Sequence, residues 1–428
     1  MIEKLKTLSL TVLIVASLLQ SYLLAYSAPK YDPIPQNDYV QTEALGNQIE
    51  LNDSLFPDQI IVHMGDRKHS VLYPNSYSYR TILDNVKKRT FAGLRKTTMY
   101  LANINWDDVR EKSRGIEVRF RNGIPINVLQ NVLQIKGEIP VENDFITKIW
   151  IFVSDNKEEV RTFFFTDTMS MGYEVVEADF TTKDVENYVL DYAEPSNLYR
   201  SVNGEYYLPL NTIRVTGYTF PYTQFTAEQL KRSLFVDPGI TRNLKERDGS
   251  EIYTDGKRGL QINKELRWIN YSDPVARIEN KNDLKSNLLA SVQFVNQHGG
   301  WDGIYRISKM PLRQSYSDQN FVFRMFYDSF PVMSSTTEGF GIIKLNVQKE
   351  LVASYERSLI IPDVEKVVRN DGILPSAEEV ETRLKGYSKK SSIVSMFAAY
   401  RPRINEKTID LTPVWAIELR DGTFEFME

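Results

Sequence analysis

From Thr7 to Tyr26 the chain runs for 20 residues without a charged side chain. At about 1.5 Å of rise per residue, a helix of that length is roughly 30 Å long, the thickness of a bilayer's hydrocarbon core. The pattern predicts one membrane span. Lys4 and Lys6 precede it, whereas Lys30, Asp32 and Asp38 follow it. That asymmetry predicts a cytoplasmic N-terminus, residues 1–6, and places everything after the span outside the cytoplasm. The alternative is a cleaved signal peptide. Ala25 and Ser27 would be the small residues before its cut, but the apolar stretch exceeds the usual ~7 to 15 residues and Pro29 follows at once.

The span is more polar than an anchor requires, carrying Thr7, Ser9, Thr11, Ser17, Gln20 and Ser21. Ser17, Ser21 and Ala25 recur every four residues and so share a helical face, with Ala16 and Gln20 beside them. Small residues let two backbones approach closely in lipid, and an amide there gains a bond that lipid does not supply. Ala16, Ser17, Gln20, Ser21 and Ala25 are therefore the expected contact with a partner helix. Ser and Thr bonding back to their own helix explains the hydroxyls equally well, and Gln20 tips the balance toward a partner.

Beyond the span, residues 27–56 begin with Pro29, Pro33 and Pro35 and hold few apolar side chains, which predicts an extended tether. A first α/β unit is expected over 57–180. It has strands at Ile60 to His63 and Ser70 to Tyr73, then a helix with Tyr79, Ile82, Leu83 and Val86 on one face. Ile149 to Val153 and Val160 to Thr166 read as a hairpin through Ser154-Asp155-Asn156-Lys157, and their unbroken apolar runs call for helices on both faces of the sheet.

From 181 an order of helix, strands, helix, strands occurs twice, which predicts a central α+β module over 181–280 and a C-terminal one over 281–428. Helices start at Thr181, Thr226 and Ser376, each with Asp184, Gln229 or Glu379 three residues on as a capping-box partner. A fourth covers Asn282 to His298 and stops at Gly299. Asp255-Gly256 joins two strands, and two long strands, Ser392 to Tyr400 and Ile409 to Leu419, close the chain. The expected class is α+β, with one N-terminal transmembrane helix followed by a three-domain extracytoplasmic region.

Composition narrows the function. With 52 basic against 56 acidic residues, nothing in the 428-residue chain argues for nucleic acid. Cysteine is absent, which excludes disulfides and thiolate chemistry and suits a bacterial surface protein that relies on packing.

Candidate chemistry is sparse. His63 and His69 flank Met64 to Lys68 and would face each other across a hairpin, but zinc needs a third or fourth ligand. His298-Gly299-Gly300-Trp301 resembles an oxyanion loop, yet no Gly-x-Ser-x-Gly elbow exists, so a helix stop is expected. Gly339-Phe340-Gly341 starts a dinucleotide fingerprint that lacks its third glycine. Asp107-Asp108 and Glu378-Glu379 fall in the first turns of helices, where the dipole accounts for them. Asn52-Asp53-Ser54 and Asn270-Tyr271-Ser272 match a glycosylation sequon by chance. No catalytic, metal or cofactor residue is assigned.

A short basic N-terminus, a span with polar residues, a proline-bearing tether and an ectodomain ending in two related modules resemble the YycH (WalH) family, and the opening MIEKLKTLSLTVLIVASLLQSYLLAYSAPKYDP resembles that family's start. The resemblance covers essentially the whole chain. It implies a non-enzymatic regulator in the cell membrane. Its partners would be a WalK/YycG-like sensor histidine kinase of cell-wall metabolism and a YycI-like anchored regulator, whose modules the last two domains here would resemble. It supplies no catalytic motif. Alternatives are a tethered ligand- or peptide-sensing module and an anchored wall hydrolase or protease inhibitor.

Overall fold

The computed structural model describes residues 2–26, 46–98, 104–138, 144–154, 159–168, 170–247, 249–274, 283–311, 319–336 and 338–427. The chain divides into an N-terminal unit ending at Gln41 and a second unit from Thr42 to Glu428.

The first unit contains α1 (Ile2–Tyr26), a helix of 25 residues. Leu10, Val12, Leu13, Ile14, Val15, Leu18, Leu19 and Tyr22 are all exposed on it, between 54% and 67%. Its side chains are described without a break only from Val12 to Tyr22. Among the described residues no helix is long and apolar enough to cross a membrane.

The second unit is built on three sheets. The first takes β1 (Gln59–Met64), β2 (His69–Leu72), β3 (Thr90–Thr98), β4 (Arg114–Pro125), β5 (Gln134–Lys136), β6 (Phe145–Ser154), β7 (Glu159–Thr166), β8 (Met171–Ala178), β9 (Tyr199–Val202) and β10 (Tyr206–Pro209). Their order is β10-β9-β2-β1-β4-β6-β7-β8-β3-β5, with only the β3–β5 pair parallel. Its helices are α2 (Tyr77–Lys88), α3 (Trp106–Lys112), the single turn α4 (Ile126–Leu129) and α5 (Thr182–Tyr192). Alternation along β6 and β7 shows why both faces are covered. Ile149, Ile151 and Phe164 join the main core with Ile82 of α2 and Val185 of α5. Trp150, Phe152, Phe163 and Phe165 point the other way, where Trp106 and Val109 of α3 cover them. The turn residues Asp155 to Lys157 lie outside the described residues.

The chain then forms β11 (Ile213–Gln224), α6 (Ala227–Leu234), β12 (Arg242–Lys245), β13 (Glu251–Thr254), β14 (Gly259–Asn263), β15 (Trp268–Ser272) and α7 (Leu284–Gln297). It continues through β16 (Ile304–Lys309), β17 (Gln319–Tyr327), β18 (Phe330–Pro331), β19 (Ile342–Gln348) and β20 (Leu351–Ser358). It closes with β21 (Ile360–Pro362), β22 (Val368–Leu374), α8 (Ala377–Leu384), β23 (Ile393–Ile404), β24 (Thr408–Leu419) and β25 (Phe424–Met427). Strands β12 to β20 make the third sheet, in the order β12-β13-β14-β15-β20-β19-β17-β16 with β18 on β17. The second sheet joins β11 to β21 through β25.

The capping boxes expected at Thr181, Thr226 and Ser376 are all formed. Helices α6 and α8, whose starts look alike in sequence, each follow a strand of the second sheet. Those strands, β11 and β22, pair antiparallel with each other from Ile213↔Leu374 to Thr219↔Val368.

Two groupings differ from the sequence reading. Elements assigned to a central module from 181 divide among the sheets: α5 lies across β4, β1 and β6, and β9 and β10 extend the first sheet beside β2. Tyr199 and Tyr207 explain this, because they bury against Ile61 and Val71. Residues 46–56, grouped with the tether, pack against the body instead. Asn47 and Trp301 exchange two backbone bonds of 2.9 Å, Asn296 binds the backbone of Ile49 at both ends, and Leu51 and Leu55 are buried. The approach is close enough that a Cβ on Gly300, at φ +73°, would meet the Gly46 carbonyl oxygen at 2.6 Å.

Candidate functional site

Of the residues expected to contact a partner helix, Ala16, Ser17, Gln20 and Ser21 are exposed on α1, while the side chain of Ala25 lies outside the described residues.

The two histidines meet as their spacing suggests. The turn from Gly65 to Lys68 closes the β1–β2 hairpin, with Asp66 and Arg67 in the left-handed region at φ 50° and 61°, and His63 pairs with His69 across it. Their Nδ1 atoms are 3.0 Å apart, and His63 Nε2 lies 3.3 Å from Oε2 of Glu117 on β4. Since an ionised carboxylate only accepts, His63 donates from Nε2, and its Nδ1 accepts from the Nδ1–H of His69. Both imidazoles are then neutral. Burial favours this by disfavouring the charged rings: His63 titrates below the usual imidazole range despite its bond to Glu117, and His69 is lowered to about 3, with His63 adding to the effect.

Glu117 is fully buried. Burial alone would raise its carboxyl, but Arg119, His63 and Lys148 overcome it and hold the group well below the carboxylate range. Arg119 reaches Oε1 at 2.9 Å, and the Lys148 ammonium is 3.8 Å away. Arg119 also donates to the carbonyls of Gly204 and Glu205 and lies over the Tyr207 ring, so the β9–β10 turn is tied to β4. Trp150 stacks on His63 at 5.2 Å. A metal would need these donors to converge, whereas Glu117 binds one edge of His63 and His69 the other. Among the described residues no group of three or more such side chains stands together to hold an ion.

Sequence reasoning missed Glu117, Arg119 and Lys148. Ile116, Val118 and Phe120 alternate with Glu117 and Arg119 along β4, which reads as a sheet with one wet face. The polar face is in fact covered, and the signal available was two opposite charges at i and i+2.

The remaining candidates have structural partners. His298 caps α7, binds the Ser233 carbonyl through Nδ1 and packs 4.1 Å from the Phe294 ring. Phe340 is buried between Gly339 and a left-handed Gly341. Asp107 pairs with Arg110 and Asp108 with Lys112 in α3, and Glu379 closes its capping box. Asn52 sits in a short 3-10 turn and Asn270 inside β15.

A second buried charge cluster joins all three sheets. Asp58, just before β1, accepts from the Arg121 amide at 2.6 Å and its guanidinium at 2.9 Å, and from Arg306 of β16 in the third sheet. Burial opposes ionisation of Asp58, but Arg306 and Arg121 lower its carboxyl below its usual range. Arg121 in turn lies 3.2 Å over the ring of Phe397 on β23, in the second sheet.

Residues 3–194 match the family model described as the YycH protein N-terminal domain, and residues 203–426 match the YycH protein C-terminal domain. A Bacillus subtilis (strain 168) protein named "Two-component system WalR/WalK regulatory protein YycH" is 20% identical over 439 residues, covering 97% of this chain and 94% of that protein. The crystal structure of YycH from Bacillus subtilis superposes with a TM-score of 0.70 at 18% identity, over 90% of this chain and 98% of that one. At that identity the likeness is one of fold. Matched through both halves and built on the same mixed α and β architecture, the chain belongs to the YycH family.

Proposed function

We propose that this chain is a single-pass, extracytoplasmic regulator of a WalK-type sensor histidine kinase controlling cell-wall metabolism, anchored by α1 and acting beside a YycI-like partner. Support comes from the name carried by its full-length Bacillus subtilis relative. The observation that carries the proposal is α1 itself: an uncharged stretch from Thr7 to Tyr26 with eight large apolar side chains exposed and a polar patch at Ser17, Gln20 and Ser21. A helix with that surface needs lipid or protein around it. In this proposal one anchor carries an ectodomain built on three sheets.

No reaction is required of such a protein. If it binds one signalling state of the kinase more tightly than the other, the population shifts by that difference, and a coupling of about 1 to 3 kcal/mol suffices for roughly 5- to 150-fold. Gln20→Leu combined with Ser17→Phe and Ser21→Phe is expected to weaken co-purification with the kinase while leaving the anchor in the membrane fraction. Retention of wild-type association would refute the helix contact. Exchanging α1 for an unrelated span separates this from a tethered sensing module, which would keep its function. A histidine-dependent hydrolase would fail when His63, His69 and His298 are replaced together, whereas the regulator is expected to persist if the fold does.

A further inference from the structure

A cavity of about 490 Å³ opens where the sheets meet, within the range of roughly 300 to 1,000 Å³ typical of small-ligand sites. One wall comes from the first sheet and α3, with Trp106, Lys148, Trp150 and Phe165; the facing wall comes from β23 and β24, with Phe397 and Glu418. Ser329 and Pro331 add an edge from the third sheet's side.

Most charged groups around it are already bonded. Asp58 is held by Arg121 and Arg306, Arg119 by Glu117 and two carbonyls, and Arg110 by Asp107. Asp167, which is exposed, and Glu205, which acts electrostatically on Lys148, also line it, while Lys148 and Glu418 face each other across it. Lys148 pairs with Glu117 at 3.8 Å and lies 4.8 Å over the Phe165 ring, but makes no hydrogen bond with the described residues. Glu418, half-buried, makes neither a hydrogen bond nor an ion pair with the described residues. Burial raises its carboxyl above the usual range, outweighing the opposing pull of Arg121. A cation whose N–H donors are unused, though it is paired with Glu117, and a carboxylate without a hydrogen bond to the described residues thus face one aromatic-lined cavity from opposite walls. A ligand of one sign would satisfy one and repel the other. A zwitterion on an apolar body satisfies both.

We propose that this cavity binds a short peptide with free termini, its carboxylate on Lys148, its ammonium on Glu418, and an apolar side chain against Trp106, Trp150 and Phe165. Such a ligand would fasten the first sheet to the second. The inference goes beyond the anchor and kinase contact proposed above and does not depend on them.

The test is equilibrium dialysis of the full chain in detergent micelles against a pool of alanyl-X-alanine tripeptides, counting every member on each side by mass spectrometry. Members with an apolar or aromatic central residue should be enriched with the protein. Enrichment should fall by about 10- to 100-fold, the worth of a charge-assisted hydrogen bond, for the N-acetylated pool and for the C-amidated pool. Glu418→Gln should abolish the discrimination against N-acetylation only, and Lys148→Met that against amidation only. The blocked pools use the unaltered protein, so they decide the matter even if a variant misfolds. No enrichment of any member, or enrichment indifferent to both blocked termini, would overturn the proposal.

Discussion

Glu117, fully buried, and Asp58, nearly so, are both carboxylates flanked by arginines, yet they do different work in the fold. Glu117 meets residues of its own sheet: His63 on β1, Arg119 on β4 and Lys148 on β6, with His69 on β2 behind His63. Asp58 binds Arg121 in its own sheet and Arg306 in another. The first cluster completes one layer, and the second fastens layers together. Buried ion pairs contribute little net stability, but removing one partner is costly because the other charge stays behind. The two sites therefore predict different failures.

The largest effect is expected at Glu117. Glu117→Leu strands Arg119 and Lys148 without their anion and should cost about 3 to 5 kcal/mol, read as a shift of the urea midpoint. Adding Arg119→Met and Lys148→Met should recover most of that loss, and no recovery would mean that the cluster contributes something other than charge balance. Asp58→Asn, which keeps shape but leaves two arginines facing a neutral amide, should cost about 2 to 3 kcal/mol. If Asp58 acts as a fastener, limited proteolysis should then cut between the sheets before the first sheet unfolds. A single cooperative loss would erase the distinction between the clusters.

Acid should separate them further. His63 and His69 are neutral when folded and take up protons once unfolded, so below the ordinary imidazole value of about 6.5 the unfolded chain gains protons that the folded one does not. Stability then falls with falling pH, by about 1.4 kcal/mol per pH unit for each histidine, and for His69 this continues toward about 3. Asp58 adds its own loss only below the ordinary aspartate range, because its folded carboxyl is lowered. Replacing His69 with Phe should flatten the slope between pH 6.5 and 5 in pH-dependent denaturation, and an unchanged slope would remove the histidine pair from the acid response. The smallest effect, of opposite sign, belongs to Glu418. Its raised carboxyl is costly to ionise at neutral pH, so Glu418→Gln should raise the melting temperature slightly near pH 7, an advantage that disappears in acid as the native group protonates.

Local chemistry made much of the chain legible. A capping box involves residues three apart, so Thr181, Thr226 and Ser376 announce their helices in any context, and each box is formed. The unbroken apolar runs of β6 and β7 were equally informative, because a strand with apolar residues on both faces has to be covered twice, and α3 lies on the second face. His63 and His69 could be paired through their hairpin. Their neutral state could not, since it depends on burial by distant parts of the chain, nor could the His63 tautomer, which is set by Glu117, 54 residues away.

What the sequence by itself determined is whatever depends on neighbours within a few positions: the uncharged stretch of α1, the caps, the hairpins and the α+β class. The tertiary structure alone decided that β9 and β10 complete the first sheet, that β11 pairs with β22, and that Asp58 meets Arg306, 248 residues away. Those pairings arise from which surfaces remain to be buried once each element has formed, and no short window of sequence contains that information.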